Sequence, residues 1–302
     1  MDLNYTGWKR WKPTNDEWID FYTDNKVPFE MKDGEYLILE GEDTVVSYYC
    51  FEDGKFRHCS GGSIKTAIEP LPEEDLLTGK GKKKYSKSKQ PVITPRNDYQ
   101  VCAFDLVQDT NKTVKLLTGN FGSGKTMLVV AAALQMLNNG QVDKIVWLRN
   151  NVVAAGTEQI GYLPGTELEK IRPWLSPFID HLKDEKTVQR LIEHNQLEVS
   201  ALGYIRGRNI ERAAIICSEA QNLTEELVKL IIGRAGEGTY IFFDGDFKHQ
   251  VDKDIFKKSP GIKRMIEVLA GNKLFGYVDL PISERSATAR LADEFDKTEE
   301  QA

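Results

Sequence analysis

The amino-acid sequence predicts an α/β fold: a mostly parallel sheet with helices on both faces, preceded by a small β-rich module. From Val114 onward, short apolar runs typical of buried strands alternate with helical stretches, the order expected of a parallel sheet covered on both sides. Polar residues follow several of these runs, where open α/β sheets place their binding sites. The 302 residues, 40% of them hydrophobic, suffice for such a domain and a smaller module.

The first 78 residues are expected to form the N-terminal module. Three tryptophans stand close to its start, namely Trp8, Trp11 and Trp18. They predict either the aromatic core of a short helix or a surface that docks a partner. Strands are expected at Glu35 to Leu39 and Thr44 to Phe51, and Asp53-Gly54 predicts a two-residue hairpin turn, since both positions need a positive φ. The module should therefore be a small antiparallel sheet.

A basic stretch follows this module. Gly79 to Lys89 contains six lysines and no apolar periodicity, which is typical of a flexible linker, placed here at 79–94. The linker is either a solvated tether or an arm that contacts nucleic-acid phosphates. Because the whole chain has a formal net charge of −6, nucleic acid would have to bind at such a local basic patch.

Asn97 and Gln100 lie just upstream of an apolar helix expected at Val101 to Val107. A side-chain amide offers a donor and an acceptor side by side, which matches one edge of adenine. An Asn before a helix is also typical of a plain N-cap. From these residues alone, both interpretations stand.

The clearest motif of the chain follows a short β-rich segment, Val114 to Thr118, and opens a helix. It is the P-loop pattern G-x-x-x-x-G-K-[ST], formed by Gly119, Asn120, Phe121, Gly122, Ser123, Gly124, Lys125 and Thr126. In such a loop, backbone N–H groups and the helix N-terminus cradle phosphates, the lysine reaches the β and γ phosphates, and the hydroxyl ligates Mg²⁺. The alternative is a Gly-rich turn that binds nothing.

Strands and helices are expected to alternate downstream of the P-loop. The P-loop helix should end near Asn138-Asn139-Gly140, because this sequence signals a helix C-terminus. Strands are expected at Lys144 to Leu148, Leu197 to Leu202, Ala213 to Cys217, Thr239 to Phe243 and Leu274 to Leu280. Helices are expected within Ile171 to Gln196 and at Leu223 to Ala235, and the acidic tail at 297–302 should fray.

Composition restricts the class of protein further. No stretch approaches the roughly 18 apolar residues of a membrane span, and the N-terminus lacks the apolar run of a signal peptide. The four cysteines show no C-x-x-C spacing, so buried thiols in a reducing compartment are expected and a structural zinc site is not. The expectation is a cytoplasmic protein with no membrane partner.

Ser218 and Glu219 follow the strand expected at Ala213 to Cys217. A P-loop ATPase needs an acidic group on the strand beside the P-loop, to hold Mg²⁺ through water and to orient the attacking water. Glu219 is placed for the second role. Ser218 stands where the metal-side Asp is expected, so it would contact Mg²⁺ through water with a hydroxyl only.

Several further motifs lie between Pro95 and Asp296. They are Pro95-Arg96-Asn97 with Gln100, Ile160 to Gly165 with Glu169-Lys170 and Pro173-Trp174-Leu175, Leu202 to Arg208, Ser218 to Asn222, Gly245-Asp246 with Gln250 and Asp252, and Glu284-Arg285-Ser286. Together they resemble the motifs of the PhoH-like ATPases, a family whose core is related to superfamily 1 helicases. The resemblance covers about two-thirds of the chain. It implies a RecA-like P-loop NTPase core.

The resemblance also implies roles for individual residues. The implied catalytic residues are Lys125, Glu219, Gln250 and Arg285. The implied nucleotide contacts are Asn97, Gln100, the P-loop residues, Ser218 and Asp246, with Thr126 and Ser218 at the Mg²⁺. Arg206 and Arg208 keep three interpretations: surface arginines, a finger that reaches a neighbouring subunit's site, or contacts to RNA phosphates.

The leading functional expectation is an ATPase that couples the nucleotide cycle to single-stranded RNA or other nucleic acid. The resemblance implies a ring-forming homo-oligomer, with a hexamer as one candidate size. The alternative is an ATP-loaded regulatory or scaffold protein that hydrolyses slowly, because Ser218 removes a carboxylate from the metal site. A small-molecule kinase is disfavoured, since no acceptor pocket is identified. Ribonuclease activity is not expected, because the first 95 residues do not resemble the nuclease domain that some family members carry.

Overall fold

A computed structural model describes residues 5–41, 45–65, 92–149, 175–176, 178–180, 182, 184–246, 260–286 and 288. Most of the basic linker, the motif at Ile160 to Gly165, and Gln250 lie outside the described residues. The predictions made for them therefore stay predictions.

The elements of the described chain alternate in the predicted manner. The strands are β1 (Trp8–Trp11), β2 (Glu35–Glu40), β3 (Val46–Glu52), β4 (Lys55–Cys59), β5 (Ile64–Lys65), β6 (Val92–Ile93), β7 (Val114–Gly119), β8 (Lys144–Arg149), β9 (Leu197–Ala201), β10 (Ala213–Ser218), β11 (Tyr240–Gly245) and β12 (Phe275–Leu280). The well-bounded helices are α1 (Asn15–Asp24), α2 (Asp98–Gln108), α3 (Lys125–Asn138), α4 (Glu185–Glu193), α5 (Glu225–Ile232) and α6 (Gly261–Leu269).

Six strands form one parallel sheet in the order β12-β7-β11-β10-β8-β9. Their carboxyl ends share one edge, which is where such sheets bind ligands. This sheet confirms the predicted α/β core and is consistent with a RecA-like arrangement. One expectation is wrong: β11 lies between β7 and β10, so Ser218 and Glu219 do not follow the strand next to the P-loop strand.

The two faces of the sheet bury separate core layers. Ile216 and Phe242 pack with residues of α2, α3 and α4, whereas Ile215 and Phe243 pack with residues of α5 and α6. Successive side chains of a strand point to opposite faces, so continuous apolar runs such as Ala-Ala-Ile-Ile-Cys are required in strands that are covered on both sides.

The N-terminal module is a four-stranded sheet in the order β1-β2-β3-β4. β2, β3 and β4 are antiparallel, and Asp53 and Gly54 form the predicted hairpin turn with φ of 49° and 76°. β1 runs parallel to β2, so the expectation of a purely antiparallel sheet is wrong. Trp8 and Trp11 lie in β1 and only Trp18 lies in a helix. The reason is that α1 serves as the crossover that two parallel strands require.

The N-terminal module packs directly against the parallel core. The indole N–H of Trp8 donates to the backbone oxygen of Asp279 (2.8 Å), and the Asp279 N–H donates to Thr6 O (2.9 Å). The Arg57 guanidinium donates to both carboxylate oxygens of Asp105 on α2 (3.0 and 2.9 Å). These contacts tie the module to β12 and α2. The domain boundaries at residues 78 and 95 stay a prediction.

Helix α6 was not expected from the sequence. Its buried residues Ile262, Met265 and Ile266 follow the helical spacing and pack on α5, so the signal was present. Over the described part of the chain, no helix combines the length and the apolar character needed to cross a membrane. All four cysteines are buried free thiols, as expected.

A buried lysine lies within the core sheet. Lys115 is 1% exposed, and its ammonium group donates to Val107 O (2.8 Å) and lies 5.4 and 5.0 Å from the ring centroids of Tyr240 and Phe242. Burial lowers the pKa of Lys115 from 10.5 to about 7. The unfolded chain therefore binds more protons than the folded chain between these two pH values.

We expect this lysine to make stability depend on pH. Because the pKa of Lys115 is lower in the folded chain, the contribution of Lys115 to the free energy of unfolding increases as pH rises from about 7 towards 10.5. In urea titrations, the stability of the wild type relative to Lys115→Met should increase by about 2 kcal/mol between pH 7 and pH 9. A difference that stays constant over this range would contradict the lowered pKa of Lys115.

Candidate functional site

The P-loop connects β7 to α3 at the carboxyl edge of the sheet. Gly119, Gly122 and Gly124 have φ of 131°, 69° and 92°, values that L-residues rarely adopt. A Cβ on Gly119 would lie 2.1 Å from the backbone oxygen of Leu280. Glycine is therefore required both by the backbone conformation and by the close approach of β12.

The lysine of the motif is held inside the loop. The Lys125 ammonium group donates to Gly119 O (2.7 Å) and Asn120 O (2.9 Å). Burial lowers its pKa, and nearby carboxylates oppose this effect. Those carboxylates belong to Asp244, Asp246, Glu219 and Asp279. The lysine thus lies where positive charge from the loop meets negative charge from neighbouring strand ends.

The segment after β12 closes over the P-loop. The Glu284 N–H donates to Gly122 O (2.9 Å), and the Asn120 side chain donates to Pro281 O (2.8 Å). The Arg285 guanidinium lies 5.1 Å from the centroid of the Phe121 ring. Arg285 is therefore beside the P-loop, and its contact with a γ-phosphate stays a prediction.

Asn97 and Gln100 connect the start of α2 to the site. Asn97 is the N-cap of α2, accepting from Gln100 N (3.0 Å), and its amide also donates to Glu284 (2.6 Å). The buried Gln100 side chain donates to Ser123 O (3.0 Å) and accepts from Arg96 N (2.9 Å). The N-cap interpretation of Asn97 is confirmed. Adenine recognition by these two residues stays a prediction.

The N-terminal module supports this same segment, which sequence reasoning did not reveal. Arg10 forms an ion pair with Asp98 (2.5 Å) and lies 5.3 Å from the Tyr99 ring centroid. Trp8 packs on Tyr99 with 4.6 Å between centroids, and the Tyr48 hydroxyl donates to Asp98 (2.7 Å). The signal was the cluster of tryptophans near the start of the chain.

A polar link joins the ends of β10 and β11. Glu219 is exposed and has a φ of 56°. The Gln221 side chain donates to the Glu219 carboxylate (2.7 Å), while its oxygen accepts from Asp246 N (3.1 Å). The predicted catalytic residue Glu219 and the predicted sensor Asp246 are therefore connected through one side chain.

Asp244, which sequence reasoning missed, lies deepest in the site. It is 2% exposed, and one carboxylate oxygen accepts from the Thr126 hydroxyl (2.5 Å) and from the Ser218 hydroxyl (3.3 Å). Burial raises its pKa to about 6, although these hydrogen bonds and Lys125 lower it. The signal was the Asp-Gly-Asp sequence at the end of β11, of which only the second Asp was considered.

The residues present fit a phosphate group and Mg²⁺. The Ser123 hydroxyl and the Oδ1 of Asp244 are buried without a hydrogen-bond partner among the described residues, which points to a missing polar partner at each position. Mg²⁺ is commonly held by one or two carboxylates together with substrate phosphates. The described residues contain no cluster of three or more His, Cys, Asp or Glu that could hold a metal by itself.

The two candidate arginines differ in their surroundings. Arg208 donates to both oxygens of Glu198, whereas Arg206 is exposed. Both follow β9, which is four strands away from the P-loop strand, or roughly 19 Å at normal strand spacing. The structure therefore does not bring Arg206 and Arg208 to the P-loop of the same chain.

A parallel α/β core with a P-loop between its first core strand and the following helix defines a P-loop NTPase. The chain belongs to the PhoH family, because the family model described as "PhoH-like protein" matches residues 92–290.

Curated relatives agree with this assignment. The chain is 35% identical over 208 residues to "Protein PhoH2" of Bacillus subtilis, covering 66% of this chain and 47% of the relative. It is 36% identical over 198 residues to "PhoH-like protein" of Mycobacterium leprae, covering 65% and 52%. The chain thus spans about half the length of these curated relatives.

The close contact between Gly122 and Arg285 generates a prediction. A Cβ on Gly122 would lie 2.1 Å from Arg285 Cγ, whereas a Cβ on Gly140, which has nearly the same φ (68° against 69°), would meet nothing within 4 Å. Gly122→Ala and Gly140→Ala should each cost roughly 1 kcal/mol of stability through the backbone. Only Gly122→Ala should weaken binding of a fluorescent ATP analogue, by roughly tenfold or more. Equal affinities in the two variants would contradict the closed arrangement of Arg285 over the loop.

Proposed function

We propose that this protein is a Mg²⁺-dependent ATPase that couples hydrolysis to binding or remodelling of single-stranded RNA. The observation that supports this most directly is the convergence of four groups at one edge of the sheet: Lys125, Glu219, Asp246 and Arg285. Three different strand ends and the segment after β12 supply them. A site assembled from separate elements in this way has the parts that phosphoryl transfer to water requires.

The proposed roles follow from position. Lys125 binds the β and γ phosphates, while Thr126 and the neighbouring carboxylates hold Mg²⁺, which neutralises phosphate charge when bound. Glu219 orients the attacking water, because its carboxylate is exposed at the sheet edge and is fixed by Gln221. Arg285 contacts the γ-phosphate, and Gln250 is assigned to sense it on the basis of the family resemblance.

The loop after β9 is the proposed contact to RNA or to a neighbouring subunit. Tyr204 is 78% exposed and Arg206 is also exposed, and an aromatic ring with a nearby guanidinium suits stacked bases and phosphates. Because this loop is remote from its own P-loop, a ring of subunits would allow Arg206 to act on a neighbouring site. The lysine-rich stretch at 79–89 is a second proposed phosphate contact.

The cytoplasm is the proposed location. The function needs ATP, and four buried free thiols suit a reducing compartment. A second candidate function, an ATP-loaded regulatory protein with slow hydrolysis, is favoured by one observation: β10 ends in Ser218 rather than in a carboxylate.

Nucleotide binding should depend on Lys125. Lys125→Ala removes the one P-loop cation, so it should abolish hydrolysis and weaken ATP binding, measured by calorimetry, by roughly tenfold to a hundredfold. Lys229→Ala, which removes an exposed lysine on α5, is the matched control and should bind ATP as the wild type does. An unchanged ATP affinity in Lys125→Ala would place the nucleotide elsewhere.

RNA should accelerate hydrolysis. We expect steady-state ATP turnover to increase when single-stranded RNA is added. The variant Glu219→Gln should bind ATP as the wild type does, but its turnover should fall by about 100-fold or more, because the charge that orients the attacking water is lost. Glu237→Gln, in an exposed turn, is the control. Slow turnover that RNA does not change would support the regulatory alternative instead.

A further inference from the structure

The ends of β10 and β11 show an unexpected distribution of charge. Ser218 and Asp244 are register partners on these neighbouring parallel strands. The sequence led to the expectation of a metal carboxylate at position 218, and there the chain has a hydroxyl. The buried carboxylate is one strand closer to the P-loop, because β11 and not β10 is the neighbour of β7.

The hydrogen bonds of Asp244 place it at the metal side of the P-loop. The Thr126 hydroxyl, which is the expected Mg²⁺ ligand of the motif, donates to Asp244 Oδ2 at 2.5 Å. The Ser218 hydroxyl donates to the same oxygen at 3.3 Å. Ser218 therefore does not replace the carboxylate but orients one that another strand provides.

The second oxygen of Asp244 also points to a ligand. Oδ1 is buried and has no hydrogen-bond partner among the described residues. A buried carboxylate oxygen without a partner is costly, so native proteins usually supply one from a ligand, an ion or water. The position next to Thr126 suits Mg²⁺ and its bound water, since Mg²⁺ is held by few carboxylates and keeps several waters.

We propose that Asp244 supplies the carboxylate of the Mg²⁺ site, in place of the residue expected at position 218, and that Ser218 holds Asp244 in position. This inference rests on the proposed function, because it assumes that the P-loop binds a nucleotide. Asp246, which is connected to Glu219 through Gln221, then does not supply the metal carboxylate. This assignment also means that the serine at 218 is no reason in itself to expect slow hydrolysis.

The test measures the affinity of a fluorescent ATP analogue in excess Mg²⁺ and in EDTA. The wild type should bind more tightly in Mg²⁺. The ratio of the affinity in Mg²⁺ to the affinity in EDTA is the Mg²⁺-dependent gain. In Asp244→Asn this ratio should be at least about tenfold smaller than in the wild type. In EDTA this variant should bind as well as the wild type or better, because one negative charge near the phosphates is gone. Asp246→Asn, the same change two residues away, tests the competing carboxylate and should reduce this gain less than Asp244→Asn does. Asp143→Asn, at an exposed carboxylate that pairs with Arg212 outside the site, is the matched control and should keep the whole gain.

A double variant that exchanges the two side chains provides a second test in case Asp244→Asn does not fold. Ser218→Asp combined with Asp244→Ser keeps the net charge and returns a carboxylate to β10, and it should recover most of the Mg²⁺-dependent gain. Ser218→Asp alone places two carboxylates opposite each other and should bind Mg²⁺-free ATP more weakly than the wild type does.

Three results would overturn the inference. The gain in Mg²⁺ could persist in Asp244→Asn but disappear in Asp246→Asn, which would assign the metal to Asp246. The gain could instead persist in full in both Asp244→Asn and Asp246→Asn, which would assign the metal to neither carboxylate. Finally, a wild type that binds ATP neither with Mg²⁺ nor in EDTA would overturn the proposed function and this inference with it, whereas the first two results leave nucleotide binding intact.

Discussion

The position of the P-loop depends on hydrogen bonds that reach it from two separate parts of the chain. At the end of β12, Leu280 O accepts from Asn120 N at 3.2 Å, and in the segment after β12 the Glu284 N–H donates to Gly122 O. From α2, Gln100 donates to Ser123 O. Since three glycines of the loop have a positive φ and glycine is conformationally permissive, these external contacts help to define the shape of the loop. The positions of Lys125, Arg285 and Thr126 depend on that shape.

The N-terminal module extends this support outward. Arg10, Trp8 and Tyr48 hold Asp98 and Tyr99, the two residues between Asn97 and Gln100. The same module binds the backbone of Asp279 on β12. The N-terminal sheet therefore contacts both α2 and β12, the two elements whose ends hold the P-loop. This gives the N-terminal module a structural role at the site.

Local patterns in the sequence predicted most of the strands and the P-loop, because a buried parallel strand needs a continuous apolar run and a phosphate loop needs glycines at fixed spacing. The order of strands was not predictable in the same way. Nothing local to β11 shows that it lies between β7 and β10, so the sequence alone does not place Asp244 beside Ser218 and predicts a missing carboxylate at position 218. β1 was missed for a related reason, since its pairing with β2 is a contact between distant residues.

The central claim is that the carboxyl edge of the sheet forms a Mg²⁺ and nucleotide site in which Asp244 provides the metal carboxylate. The most direct measurement is a crystal structure of the protein with Mn²⁺ and a non-hydrolysable ATP analogue, recorded so that the anomalous signal locates the metal. We predict one Mn²⁺ peak at the P-loop, beside the Thr126 hydroxyl and on the Oδ1 side of Asp244. A peak held by Asp246 or Glu219 with Asp244 turned away, or a nucleotide bound away from Lys125, would contradict the claim.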